Sequence, residues 1–442
     1  MELKKEKDCL GEKTLPGNVP WGIHTARALE NFSLVGRRVA PGLIAALARV
    51  KKACALANKE LGYLDAVKAD SIIHVCEQIV EHPECPLPAL QGGAGTSTNM
   101  FINEVVANQA NVHPIEEVNL HQSTNDVYST AVKLAAIYGL RDLAEKIEKL
   151  QGVFQRLEHR FAHIPTLGKT ELMDAVPLTL GAEFGAFAEA FARDRWRTFK
   201  SEERLRVVNL GGTAVGTGLT APRDYIFLVT DKLREITGVG ISRGENLVDQ
   251  TANADAFVEV SGIMKACAAN LLKICGDLRL LHMCGKIKLP AVQAGSSIMP
   301  GKVNPVILES VMQVGIKVQS NDLIITECAS RGSLQINEFM PLLADALLES
   351  LELLGDACLM LAKHAEGIEA DEAACERHFN ASVEIVTAFL PTIGYEKATE
   401  LVEQFKKTGR SDFKNYLTEE LGEEIVEKTL SPQNLMALGH RD

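Results

Sequence analysis

The sequence predicts an all-α protein built around a central bundle of long helices. Three observations carry that expectation. Aromatic and β-branched strand signals are sparse, long intervals run without proline, and apolar residues recur at three- and four-residue spacing. Leu143, Ile147, Leu150, Phe154 and Leu157 follow a 4-3-4-3 spacing, and Met264, Cys267, Leu271, Ile274, Leu278 and Leu281 follow 3-4-3-4-3. This is the seam of long packed helices, so these stripes are core.

Taken in chain order, residues 1–13 are charged and contain no apolar segment that could insert into a membrane. Proline and glycine between Pro83 and Gly95 mark a connection, and Val112-His113-Pro114 marks a second break. An N-terminal helical domain is expected over residues 1–120. Ser123-Thr124-Asn125-Asp126 then reads as a helix N-cap at the start of a helical pattern. Further patterns rich in Leu and Ala run from Pro305 to Pro341 and from Pro341 to about Gly367, which places the long-helix bundle over 121–368. Beyond it the segments become shorter and charge-rich, broken by Pro391, Gly394, Gly409 and Ser431-Pro432, as expected of a small C-terminal helical domain over 369–442.

At 442 residues with a net charge of -12 the chain can bury a large core, and its acidity argues against nucleic acid or an anionic membrane as partner. A small dianion held in a local positive pocket is not excluded. Ten cysteines show neither C-x-x-C pairing nor the spacing of a secreted scaffold. Reduced thiols in a soluble cytoplasmic protein are the expectation. His74, His159 and His378 lack metal-ligand spacing, and no metal site is expected. The glycines of 92–95 and 211–218 match no nucleotide-binding pattern, so they are read as close-packing or loop positions.

One stretch concentrates reactive chemistry: Gly295-Ser-Ser-Ile-Met-Pro-Gly-Lys-Val-Asn-Pro305. Glycine frees the backbone and two prolines fix it. Between them stand two hydroxyls, an ammonium and a carboxamide, which suits a loop closing over a small anion. This string resembles the signature of the aspartase/fumarase superfamily, enzymes that add or remove a small group across the double bond of fumarate. Four other blocks resemble that family in its own order: Gly93-Ala-Gly-Thr-Ser-Thr-Asn-Met100 with Asn103-Glu-Val-Val-Ala-Asn108, Gln122-Ser-Thr-Asn-Asp126, Gly168-Lys-Thr-Glu-Leu-Met-Asp-Ala-Val-Pro-Leu-Thr-Leu-Gly181, and Gly211-Gly-Thr-Ala-Val-Gly-Thr-Gly218. The segments Gly22–Phe32 and Ser431–Met436 lean toward the ammonia-eliminating members, and the resemblance covers nearly the whole chain.

The resemblance implies a three-domain, mostly helical fold, a homotetramer, and elimination of ammonia from L-aspartate or a close analogue without an organic cofactor. Hydration of fumarate, a lyase reaction on another substituted succinate, and a non-catalytic structural relative are the alternatives. It also implies roles. Ser296 is the base that removes the C3 proton, and Lys302 and Asn304 hold the carboxylate distant from the developing charge. Thr96, Ser123, Thr124 and Ser297 face the aci-carboxylate, while Asn125 and Thr170 lie near the leaving group. A serine base requires stabilisation of its alkoxide by N–H groups or cations.

Several positions depart from the family pattern. Glu171 stands where His or Gln is usual, and a family His there pairs with a glutamate that matches Glu309. The expectation is therefore a coupled acidic pair, Glu171 with Glu309, favouring a substrate that carries an ammonium group. Phe101 and His121 replace smaller or polar residues and are expected to reshape the pocket. The connection before the signature, residues 282–288, is short.

Overall fold

A computed structural model describes residues 3–439. The helices are α1 (Ile23–Asn31), α2 (Pro41–Glu60), α3 (Ala66–Glu81), α4 (Thr96–Ala110), α5 (Thr124–Arg160), α6 (Leu180–Ser201), α7 (Arg223–Thr237), α8 (Leu247–Ala252), α9 (Asp255–Met283), α10 (Val306–Ser330), α11 (Met340–Ala365), α12 (Glu372–Ala381), α13 (Leu390–Thr408), α14 (Phe413–Leu421), α15 (Glu423–Thr429) and α16 (Pro432–Leu435). Strands are confined to two-stranded ribbons: β1 (Leu3–Asp8) with β2 (Gly11–Pro16), β3 (Pro165–Thr170) with β4 (Met173–Thr179), β5 (Val207–Val208) with β6 (Ser242–Arg243), and β7 (Ile287–Lys288) with β8 (Glu369–Ala370). The mostly helical fold is the one the sequence predicts. Among the described residues no helix is long and apolar enough to cross a membrane.

The chain divides into two compact units, 1–144 with 196–268 and 316–354, and 145–195 with 269–315 and 355–442. In the first unit α2 packs on α3, α4 and α7. Gly139 of α5 faces Leu351 of α11 so closely that a Cβ would lie 2.9 Å from the Leu351 side chain. Asp322 of α10 accepts from Ser261 (2.8 Å) and Lys265 (2.6 Å) of α9. In the second unit, Phe154 of α5 and Phe161, just past its end, meet Phe184, Phe187 and Phe191 of α6. A separate core gathers Leu167 with Phe379, Phe389, Leu401, Phe405 and Phe413. Every residue of the two apolar stripes read from the sequence is buried.

The β3–β4 hairpin was not legible in the sequence. Its register pairs Thr170 with Met173, so the loop is the two residues Glu171 and Leu172, with φ of 51° and 68°. Two-residue hairpin turns with both φ positive ordinarily take Asn-Gly or Asp-Gly. Here two side-chain-bearing residues occupy them at a cost of about 1–2 kcal/mol each.

Near the N-terminus, α1 has no side-chain cap of its own. The N–H of Ile23 is met by Glu6 of β1 (2.7 Å), and those around it by a carboxylate from α4. Glu104, 5% exposed, accepts from the backbone N–H groups of Gly22 (3.0 Å), His24 (2.7 Å) and Thr25 (3.1 Å) and from the Thr25 hydroxyl (2.5 Å). A negative group at a helix start also complements the macrodipole. Glu104→Ala leaves these donors unpaired and should cost about 3 kcal/mol or more. The check is the urea midpoint of the first unfolding transition, and a wild-type midpoint would show that α1 does not depend on Glu104.

Candidate active site

The candidate residues divide between the two units, and each set has its own geometry. In the first unit, α5 begins at the Gln122–Asp126 block. Ser123 is its N-cap: its hydroxyl accepts from the Asn125 N–H (3.3 Å), while Asp126 reaches back to the Ser123 N–H (2.9 Å). This reciprocal arrangement is a capping box with Asp in place of Glu. Asp126 also accepts from the N–H groups of Gly211 and Thr213, both at 3.1 Å. Burial pushes its carboxyl up to about 6, against the pull of those N–H groups and of Lys51. The second and fourth sequence blocks are thereby bound together.

Asn125 donates to the Ala214 carbonyl (2.6 Å), and Asn209 returns a bond to the Asn125 carbonyl (3.0 Å). Thr124 Oγ1 accepts from Asn99 (3.1 Å), which leaves its own proton available to a ligand. Thr96 opens α4 and donates its hydroxyl to the Gly93 carbonyl (2.7 Å). The turn before it needs Gly95, whose φ is 95° and whose Cβ would lie 2.6 Å from the Tyr128 ring. Thr96, Ser123, Thr124 and Asn125 are thus all set at the N-terminal ends of α4 and α5, where N–H groups favour an anion.

In the second unit the signature forms a closed loop. The Gly295 N–H donates to the Lys302 carbonyl (2.7 Å) and the Asn304 amide donates to the Gly295 carbonyl (2.8 Å). A Cβ on residue 295 would lie 2.8 Å from the Asn304 nitrogen, which accounts for the glycine. Ser296 Oγ accepts from the N–H groups of Ile298 (3.2 Å) and Met299 (2.9 Å). These are the donors an alkoxide requires. Ser297 and Lys302 are exposed on the same loop, and the chain then enters α10 with Glu309 in its first turn.

Thr170 and Glu171 are exposed at the tip of the β3–β4 hairpin. Glu171 lies on the β3–β4 turn and Glu309 in the first turn of α10. The ion partner of Glu309 is Arg279 of α9, at 3.9 Å. Glu171 instead follows Lys169, which pairs with Asp174, itself 2.8 Å from His378. His121 and Phe101 both belong to the first unit. The His121 Nδ1 lies 2.7 Å from Asn58, and the ring packs edge-on against Tyr63 and Tyr225. Phe101 is buried in α4. The short connection 282–288 turns at Gly285 (φ 75°) and pairs as β7 with β8.

Asp126, Asn209 and Glu104 are structural participants that the sequence reading did not single out as site residues. The S-x-x-D spacing was a signal for Asp126. Nothing local marks Asn209 or Glu104, whose partners lie far along the chain.

These features define a helical lyase, and the chain belongs to the aspartase/fumarase superfamily. The family model described as lyase matches residues 11–320. Aspartate ammonia-lyase from Corynebacterium glutamicum is 40% identical, with 98% of this chain and 88% of the relative covered. The aspartate ammonia-lyase of Escherichia coli K12 is 38% identical over 98% of this chain and 96% of its own. A crystal structure of a fumarate lyase:delta crystallin from Brucella melitensis, bound to cobalt, superposes with a TM-score of 0.92 at 40% identity, covering 98% of this chain and 99% of that one. A class II fumarase from Schistosoma mansoni has the same TM-score of 0.92 at 28% identity, with both chains covered in full.

Proposed function

We propose that the protein is an ammonia-lyase converting L-aspartate to fumarate and ammonia, or a close analogue to the corresponding fumarate analogue and ammonia. The observation that carries this reading is Ser296: its oxygen sits where two backbone N–H groups of its own loop converge, on a chain that aligns with aspartate ammonia-lyases over nearly its whole length.

Ser296 as alkoxide takes the proton from C3, and the electron pair moves into the adjacent carboxylate to give an aci-carboxylate dianion. Donors aimed at that group act as an oxyanion hole does, where each is worth about 2.7–4 kcal/mol. Ser123, Thr124 and Ser297 supply hydroxyls, and Thr96 joins them once its hydroxyl leaves the Gly93 carbonyl. Lys302 and Asn304 hold the other carboxylate. The C–N bond then breaks, and ammonia departs beside Asn125, Thr170 and Glu171. Glu309, neutralised by Arg279, completes the substrate-binding set. Glu171, held on a strained two-residue turn with its carboxylate exposed, is suited to receive the substrate ammonium.

The protein acts as a cytoplasmic homotetramer in this reading. Free cysteines throughout the described chain suit a reducing compartment. Exposed apolar residues on the helices suit association: Ile316 (60%) and Leu323 (62%) stand seven residues apart on α10, and Trp196 (64%) and Phe199 (57%) lie on α6. Sedimentation equilibrium should give four times the 48.0 kDa chain mass, and a monomer mass contradicts this.

The absorbance of the fumarate double bond, followed from L-aspartate and from L-malate in parallel, tests the activity. Fumarate should appear from L-aspartate at a rate well above that from L-malate. Glu171→Gln should reduce that preference by about tenfold, the worth of one charge-assisted hydrogen bond. Faster turnover of L-malate identifies a fumarase. Turnover confined to another substituted succinate moves the substrate, and no turnover across such a panel makes the chain a non-catalytic relative.

A further inference from the structure

Beneath the Gln122–Asp126 block lies a buried cation to which the proposed mechanism gives no role. Lys51 of α2 is 1% exposed. Its Nζ donates to Asn119 Oδ1 (2.9 Å) and Gln122 Oε1 (2.8 Å), so both hydrogen-bond partners are neutral amide oxygens. Asn119 Oδ1 is a hub that also accepts from Asn99 (3.2 Å) and Asn103 (3.1 Å). From there the network reaches the candidate substrate residues. Asn119 donates to the Gln122 carbonyl (3.2 Å), and Asn99 donates to Thr124 Oγ1 (3.1 Å). Within the same block Asp126, itself buried, accepts from the Ser123 N–H. The turn that opens α5 is therefore held by two groups withdrawn from water, the Lys51 ammonium at Gln122 and the Asp126 carboxylate at Ser123.

A buried ammonium whose hydrogen-bond partners are all neutral is unfavourable by itself, and an apolar residue would pack there at less cost. Asp126 offsets its charge in part, and an anion arriving at the start of α5 offsets it further. We propose that Lys51 is a positioning residue whose charge and hydrogen bonds set Ser123 and Thr124 as a carboxylate-binding site. This rests on the functional reading above and adds a residue to it.

The groups around Lys51 give the proposal a pH signature. Burial dominates and lowers the Lys51 pKa to about 8, while Asp126 on α5 pulls the other way; Cys54 on its own helix and Cys76 on α3 also face it. Tyr225 of α7 meets Cys54, and α4 contributes only the amides Asn99 and Asn103 to the network. Burial holds the Cys54 and Cys76 thiols up at about 12, so both stay neutral near pH 8. Asp126, raised to about 6, is already charged there. A Lys of lowered pKa is charged below that value and loses its charge above it, so anion affinity should fall as pH rises through about 8.

The probe is fumarate as a product inhibitor, because its carboxylates do not titrate in this range. In the wild type its inhibition constant should be constant up to about pH 8 and weaken about tenfold above it. Lys51→Gln, which keeps a donor and removes the charge, should show the weakened constant at neutral pH and no break, with kcat changed less than KM. Lys51→Met should be weaker still. A flat wild-type profile overturns the proposal, as does a K51Q profile matching wild type. If the wild type neither forms nor binds fumarate, the functional reading fails, and amide hydrogen exchange over residues 119–126 judges the clamp. Faster exchange in K51Q supports it, and wild-type rates overturn it.

Discussion

The carboxylate of Asp126 is the constraint on which the first half of the site depends. A carboxylate removed from water must be met by donors, and the donors that meet it come from two places far apart in sequence. Ser123 lies three residues away, whereas Gly211 and Thr213 lie more than eighty residues on. Satisfying one buried group therefore fixes the first turn of α5 and the glycine-rich turn that follows β5 in the same act. The glycines of that turn are then forced by space. Gly211 and Gly216 have φ of 88° and 85°, and a Cβ on Gly216 would lie 2.3 Å from the Leu247 carbonyl. Asn125 and Asn209 lock the same junction with side-chain to backbone bonds.

The signature loop is governed by a different economy of interactions. It is largely exposed, and the bonds that shape it come from its own neighbours in sequence: Gly295 with Lys302 and Asn304, Ser296 with Ile298 and Met299. The hydrogen bonds to Ser296 are thus encoded within its own loop. Glu171 sits at the hairpin tip, and Glu309 at the start of α10 has Arg279 as its ion partner at 3.9 Å.

How much of this was legible in the sequence follows from the range of each interaction. The stripes through Leu143–Leu157 and Met264–Leu281 gave the long helices because periodicity is a local signal. The S-T-N-D cap was legible for the same reason, and the signature loop closed as its glycine and prolines suggest. The β3–β4 hairpin was hidden because Glu171 and Leu172 are not the residues such a turn ordinarily takes. Glu104 was hidden because it caps a helix about eighty residues away. The contacts of His121 with Asn58, Tyr63 and Tyr225 were hidden for the same reason, because all three lie far along the chain. Lys51 reads as one of several basic residues on an amphipathic helix until its burial is seen.

The account centres on Ser296 as the group that takes the C3 proton. Transfer of hydrogen at C3 can be followed by proton resonance in heavy water, with fumarate and ammonia supplied and L-aspartate allowed to form. The wild type should place a single deuteron at one face of C3. Ser296→Ala should lower the rate of that transfer by about a thousandfold while fumarate still binds. Deuteration by the Ser296→Ala protein at the wild-type rate and with the same facial preference would contradict the account.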